Sequence, residues 1–278
     1  MIKITIIVLK GEVALFSDLS NRLLTGTYKE RMDHIAAESG KYEYTCNFKY
    51  EGILAEEILT EELRNILRGG KVLDVGCGHG EYTNSWSDYA EEVVGYDMTE
   101  GFIETANKNK KPNVRYVVGN TKDGLGLPFP TDYFDVVYTK KGPTSWFPEG
   151  NRVVKPGGTI LLLYLYNWLS DIGDYYKGWI EPNSNGAETL NIINERLAKS
   201  GFENIKTKTI EEIAYIPTPE DVINYIFFGQ SKKFIDYVKE QHLEKVQRQF
   251  EKYAHDKGTD RGIKVTNYYC LIHAKASS

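Results

Sequence analysis

Val72-Leu73-Asp74-Val75-Gly76-Cys77-Gly78-His79-Gly80 is the most informative run of the chain. It enters as a short apolar segment and leaves through three glycines at alternate positions. A buried run that meets a glycine cluster reads as a strand, a tight turn and the start of a helix. Glycine turns the backbone sharply and admits a ligand where a Cβ would stand. The first N–H groups of the helix expected near Gly80 would point into the same crevice. A dinucleotide site wants the spacing G-x-G-x-x-G, with pyrophosphate at the helix start. Here the third glycine comes one residue early and Glu81 holds the place of the last. That spacing disfavours a nicotinamide-dependent oxidoreductase, since a carboxylate repels pyrophosphate. Asp74, two residues before the first glycine, suits a cationic group instead.

Beyond the loop, residues 92–97, 114–118, 134–139 and 159–164 are further apolar runs, separated mostly by segments of helix length. Strands alternating with helices imply parallel pairing through crossover helices. Continuous rather than alternating apolar runs say that both sheet faces are covered. Residues 205–210 and 262–275 supply a sixth and a seventh strand. Leu54, Ile58, Leu63, Ile66 and Leu67 share a helix face that Gly69-Gly70 stops, and Leu190, Ile193 and Leu197 form another that ends at Gly201. Thr218-Pro219-Glu220-Asp221 is a helix start, with an N-cap, a proline at the first helical position and acids in the first turn. Phe234, Val238, His242, Val246 and Phe250 keep four-residue spacing, so they form an amphipathic helix that packs on the sheet domain. The expected fold is α/β: a Rossmann-like, seven-stranded, mostly parallel sheet flanked by helices, with a helical cap. The expected domains are a lid or extension over 1–52, a core over 53–214, a helical insertion over 215–260 and a final core strand over 261–278. The apolar opening of the chain, residues 1–9, reads as an N-terminal strand or extension rather than a secretory signal.

The chain has 278 residues, 41% hydrophobic and 26% charged, which fits a globular protein and not a disordered one. A formal net charge of −5 gives no general attraction for polyanions. Cys46, Cys77 and Cys270 are too few for a disulfide framework or a four-cysteine zinc site, so a reducing cytoplasm fits. No segment is long and apolar enough to span a bilayer. The composition stands out in its aromatics: 20 Tyr, 11 Phe and 4 Trp.

The glycine loop and the segments after it resemble the class I S-adenosylmethionine-dependent methyltransferases, and in particular their type 11 branch. Asp74 to Gly80 is similar to that family's first motif. Gly95-Tyr96-Asp97-Met98 is similar to its ribose-binding segment, and Gly119-Asn120-Thr121, ahead of Leu127-Pro128-Phe129, to its adenine loop. Tyr133 to Val137 and then Arg152 to Gly158 resemble its fourth strand and the turn before its fifth. The resemblance covers about residues 53–164. It implies S-adenosylmethionine as cofactor and S-adenosylhomocysteine as product. It also implies that Asp74, Gly76, Cys77 and Gly78 hold the methionine end, that Asp97 holds the ribose and that Met98 packs on adenine. Asn120 and Thr121 would read the adenine edge, and Thr139 and Lys140 would line the crevice by backbone. The family commonly has Gly-Asp where this chain has Gly119-Asn120; the Asn120 carbonyl can still accept from the adenine amino group. Cys77 reads as a small packed residue and His79 as a loop residue.

No catalytic base stands out; His34, Tyr42 and Tyr50 are the candidates in the N-terminal segment. The acceptor site would come from the parts outside the core, which are rich in aromatics: Tyr42, Tyr44, Tyr50, Trp146, Tyr166, Trp168, Tyr175, Tyr176 and Trp179. These either pack the lid to the sheet or line a cavity for a small molecule. Tyr50, Lys141, Trp146 and Tyr166 are the candidate substrate contacts, with Lys141 placed to pair with an anionic group. A small-molecule acceptor is the main expectation, with no metal and no membrane. A ribosomal or transfer RNA base is the second, because the plan also resembles the guanine-N1 ribosomal RNA methyltransferases without their zinc module. A non-catalytic protein that binds the same cofactor is the third.

Overall fold

The computed structural model describes residues 27–176, 179 and 186–277. The strand expected over 1–9 lies outside them, as does the first part of the expected lid. The described chain begins with α1 (Tyr28–Ser39), β1 (Lys49–Glu51), α2 (Ala55–Ile66) and β2 (Lys71–Val75). It continues through α3 (Glu81–Asn84), β3 (Glu92–Asp97), α4 (Glu100–Lys108), β4 (Val114–Val118), β5 (Phe134–Lys140) and α5 (Phe147–Val153). Then come β6 (Val154–Ser170), α6 (Ile172–Tyr175), α7 (Gly186–Lys199), β7 (Phe202–Ile216), α8 (Pro219–Ile226), α9 (Lys232–Lys257) and β8 (Ile263–Ala276).

All the strands join one sheet in the order β1-β7-β8-β6-β5-β2-β3-β4. The β4, β3, β2, β5 and β6 half is parallel. β8 enters antiparallel between β6 and β7, and β7 runs antiparallel to β8. Both faces of the parallel half are covered, as the continuous apolar runs require. Val72, Val93 and Leu161 lie under Leu59 and Leu63 of α2. Leu73, Val94 and Leu162 pack on the other side, with Phe147 of α5 and Ile193 and Leu197 of α7.

Eight strands replace the seven expected. The addition is β1, which pairs with β7 from Lys49↔Tyr215 to Glu51↔Ile213. Its three residues are all exposed, so no apolar alternation marked it. β6 and β7 also run to 17 and 15 residues, well past the stretches read as strands, because Tyr166, Asn167 and a row of charges on β7 interrupt the apolar pattern. The helix after Gly80 is only a four-residue turn, Glu81–Asn84.

The long antiparallel half carries the cap. Thr218 caps α8 by accepting from the Asp221 N–H at 3.1 Å. The apolar stripe of α9 buries Phe234, Val238 and Val246 in a cluster with Trp168, Tyr176 and Phe227. At the other side, α1 is closed by a capping box between Thr27 and Glu30 and ends at Gly40. It lays Met32, Ile35 and Ala36 on Phe102 of α4 and on Phe228. Among the described residues no helix is long and apolar enough to cross a membrane.

Candidate functional site

The site forms where β2, β3 and β5 end, because parallel strands bring their C-terminal ends to one edge and leave a crevice there. Gly76 has φ +86°, and a Cβ on it would stand 2.6 Å from Cδ of Pro143 and 3.1 Å from Cα of Gly142. Glycine is therefore required for the loop after β5 to lie against the loop after β2. Gly78, at φ +55°, has no atom within 4 Å of its missing Cβ, so the loop is open there.

Two carboxylates frame this opening. Asp97, at the end of β3, accepts the Gly78 N–H on Oδ2 at 3.0 Å and the Thr99 N–H on Oδ1 at 2.9 Å. Burial raises its carboxyl above the usual range, against those two N–H groups. Each oxygen keeps a lone pair for a further donor. Asp74, on β2, is 2% exposed. Its Oδ2 accepts from the Thr83 hydroxyl at 2.7 Å and from the Tyr138 phenol at 2.8 Å. Its Oδ1 is buried and has no protein partner. Burial pushes this carboxyl up to about 6, against the two hydroxyls and Lys140. Leaving a buried acceptor unpaired costs about 1–3 kcal/mol. A donor from a ligand, above all a cationic one, recovers that cost. Residues that pair a ribose-ready acid with a cation-ready acid on one open glycine loop fit S-adenosylmethionine.

The other expected cofactor residues are placed as follows. The Cys77 thiol points toward the Gly78 carbonyl at 3.7 Å, and burial pushes it well above the ordinary thiol range. Met98 is half-buried against the α1–α4 cluster. Asn120 accepts the Lys122 N–H on Oδ1 at 2.9 Å, and that oxygen keeps a second lone pair. Thr121 bonds by its hydroxyl to Ser145, tying that loop to the one after β5. The Thr139 side chain is fully buried and accepts from Trp146 Nε1 at 3.0 Å. Trp146 is 1% exposed, and this corrects its place among the substrate contacts: the indole fills the core under α5. Tyr166 packs on the same core from β6, with its ring 6.4 Å from that of Tyr268.

A strap, residues 40–50, is pinned to the sheet domain at two points. The Tyr42 N–H donates to Nδ1 of His79 on the glycine loop at 3.2 Å. Further along, Asn47 donates its backbone N–H and its Nδ2 to Asp221 at 2.9 and 3.1 Å. Between these pins Tyr42 and Tyr44 keep 42% and 41% of their surface, and Tyr50 46%. Yet desolvation raises all three phenols, that of Tyr50 to about 12. Tyr28 of α1 behaves likewise, raised to about 12 by burial and close enough to Asp97 to feel its charge.

Lys140 ends β5 and Lys141 follows it. Both grip Glu56 of α2, Lys140 at 2.9 Å and Lys141 at 2.8 Å. Lys140 lies 4.3 Å over the Tyr82 ring and Lys141 4.8 Å over that of Tyr269. Burial works to raise the Glu56 carboxyl, but the two ammonium groups outweigh it and bring it to about 2. Of the expected bases, Tyr42 and Tyr50 reach the cleft, whereas His34 sits on α1 with a buried, unpaired Nε2. Glu43, His79 and Glu81 also converge. Nδ1 of His79 is an acceptor there, which puts the ring proton on Nε2, so Nε2 offers those carboxylates a donor and a metal no lone pair.

The sequence reading missed Thr83, Tyr138, Glu56 and Tyr269. Tyr138 was within reach, because the parallel register sets it opposite Asp74. Glu56 carried no signal, being one of several acids at the start of α2.

Residues 73–162, which include the strands that carry this site, match the model of the methyltransferase domain family. Demethylmenaquinone methyltransferase of Staphylococcus saprophyticus is similar to it, 33% identical over 139 residues, which cover 45% of this chain and 58% of that protein. The chain thus spans little more than half the length of that relative. Among solved structures, one of a functionally unknown protein from Deinococcus radiodurans R1 superposes with a TM-score of 0.60 at 22% identity, over 89% of this chain and 99% of that one. A putative methyltransferase from Bacillus halodurans C-125 does so with a TM-score of 0.50 at 19% identity, over 80% and 100%. Likenesses at these identities show the fold.

Proposed function

We propose that the protein is an S-adenosylmethionine-dependent methyltransferase acting on a small molecule held between the tyrosine strap and Lys141. The observation that carries this reading is the unpaired, buried Oδ1 of Asp74 beside the open glycine loop that Asp97 ties down. When bound, the cofactor supplies a methyl group already made electrophilic by a sulfonium. The protein's part is placement. Asp74 receives the ammonium of the methionine end, Asp97 the ribose hydroxyls, and the Thr121–Ser145 contact closes the loops around the adenine. The Met98 side chain offers an apolar surface beside them. The strap excludes water and holds the acceptor in line, which accounts for most of the rate.

The cleft wall is phenolic, which favours a flat, partly polar acceptor. The matched relative is named for demethylmenaquinone, an acceptor of that kind. RNA recognition wants basic rows with free stacking aromatics. The basic runs here are instead paired, Lys111 with Asp88 and Lys232 with Asp236. The cysteines are free and Cys46 and Cys270 are buried, which supports a cytoplasmic setting.

The test is calorimetric titration with S-adenosylhomocysteine, followed by incubation with S-adenosylmethionine and a panel of hydroxyarenes, quinols and short RNAs. We expect binding, and a gain of one methyl mass on a member of the small-molecule set. No heat with S-adenosylhomocysteine sinks the reading. Binding without turnover on any member favours a non-catalytic cofactor-binding protein, and methylated RNA reverses the choice of acceptor.

A further inference from the structure

Tyr138 and Thr83 reach Asp74 from two different elements, and both reach it on the same oxygen. Tyr138 lies on β5, opposite Asp74 in the parallel pairing of β5 with β2. Thr83 lies on α3, the turn that follows the glycine loop. The Thr83 hydroxyl donates to Asp74 Oδ2 at 2.7 Å and the Tyr138 phenol donates to the same atom at 2.8 Å. Both side chains are fully buried, so water offers neither hydroxyl an alternative. A carboxylate has acceptor positions on both oxygens and could share two donors evenly. Here Oδ2 takes both, and Oδ1 is buried with no protein partner.

The arrangement is held from behind. The Tyr138 ring meets that of Tyr82 edge-on, with centroids 6.0 Å apart. Tyr82 is tied through its own hydroxyl to Thr60 of α2 at 3.0 Å, and Lys140 lies 4.3 Å over its ring. Burial pushes the Tyr138 phenol well above the ordinary phenol range, so it stays a donor at neutral pH. Rotating the Asp74 carboxyl out of this setting breaks both bonds at once, and a half-turn only exchanges the two oxygens and restores it. Each bond also favours the charged carboxyl against its burial.

We propose that Tyr138 and Thr83 are positioning residues for the methionine end of the cofactor: by loading one oxygen of Asp74 together, they keep the other as its single open acceptor, set for the ammonium group. The proposal rests on the methyltransferase reading and deepens it. Both residues act through Asp74 and neither is a catalytic residue. A ligand with the same nucleoside but no ammonium gains nothing from the pair, so the pair selects for the amino-acid end of the cofactor.

The test compares two ligands by calorimetry on the full-length protein. One is S-adenosylhomocysteine; the other is methylthioadenosine, which keeps the nucleoside and the thioether and lacks the ammonium. We expect Tyr138→Phe, which removes one oxygen atom, to weaken S-adenosylhomocysteine about tenfold, the order of one hydrogen bond to a charged acceptor. Methylthioadenosine should bind this variant as tightly as it binds the parent. Thr83→Val, which keeps the shape, should act in the same way, and Thr83→Ser, which restores the hydroxyl, should return most of the lost affinity. In Tyr138→Phe the pH at which S-adenosylhomocysteine affinity climbs should move upward by about one unit, because a carboxyl that loses a donor to its charged form ionises later. Equal weakening of both ligands in the Tyr138→Phe and Thr83→Val proteins overturns the proposal, since a merely structural role strikes both alike. An unmoved pH profile or an unchanged preference between the ligands overturns it too. Should Tyr138→Phe fail to fold, the Val and Ser variants at position 83 decide alone. A parent protein that binds neither ligand removes the function itself, whereas a parent that binds both, with variants that behave like it, removes only the role of this pair.

Discussion

Trp168, Tyr176 and Phe227 under the cap bury nearly all of their surface, whereas Tyr42, Tyr44 and Tyr50 on the strap leave almost half of theirs open. Both groups are dense in aromatic rings. The cap rings meet one another and the stripe of α9; Phe227 lies 5.3 Å from Phe234 and Trp179 4.8 Å from Phe227. The strap rings meet fewer buried neighbours. Tyr44 stacks on Phe228 at 4.0 Å, and Tyr42 meets the same ring edge-on at 5.2 Å. Composition treats the two groups alike. Their geometry divides them into rings that hold the cap to the sheet and rings that stay nearly half open.

Mutation puts that division at risk. Phe234→Ala in the cap should cost about 3–5 kcal/mol of stability, the usual loss for a large buried ring, read from the midpoint of urea unfolding. A loss below about 1 kcal/mol, within the range of surface changes, would mean that the cap is not a packed core. Asp97→Ala, between the two regions, should weaken S-adenosylhomocysteine binding by about 1–3 kcal/mol, the scale for hydrogen bonds to a charged acceptor. An unchanged affinity in calorimetry removes the ribose role.

Asp74 gives a pH signature of similar size. Its carboxyl sits near 6 in the folded protein, against an ordinary 3.8, so the folded chain binds a proton more tightly than the unfolded one. Without ligand, stability should therefore fall as pH rises from about 4 to about 6. A cationic ligand has the opposite preference and needs the carboxylate. Cofactor affinity should accordingly climb as pH passes upward through about 6, at most tenfold per unit, and Asp74→Asn should flatten the profile. A flat profile in the parent protein would remove Asp74 from the site.

The smallest effect comes from the strap side. Tyr44→Ala should cost only about 1 kcal/mol of stability, the worth of one stacked pair, while slowing turnover much more. Equal losses in both would return the strap to the packing group.

The parallel half of the fold was legible because its strands are buried on both faces and announce themselves as unbroken apolar runs. The glycine loop and Asp97 were legible because they follow those strands at fixed spacing. The antiparallel half hid its extent. Tyr166 and Asn167 sit on a strand that continues to Ser170, and their polarity made them look like loop. β1 hid for the same reason, being held by backbone pairing to β7 and by no side chain facing inward. In the site, Trp146 was misplaced because a tryptophan in a loop gives no hint of which way its indole turns. Glu56 and Tyr269 meet Lys141 only through the closing of the sheet, and no local pattern encodes a meeting of residues so far apart in sequence.

The twisted peptide geometry at Lys141 has an evolutionary edge. A lysine held at φ +58° forgoes about 1–2 kcal/mol that a residue without a side chain would recover. Selection for heat resistance alone would therefore drive position 141 toward glycine. A hardened variant obtained that way would melt later while losing the ammonium that pairs with Glu56, and the survivors of such a screen would record, by what they discard, how much the chain gives up to keep that charge in place.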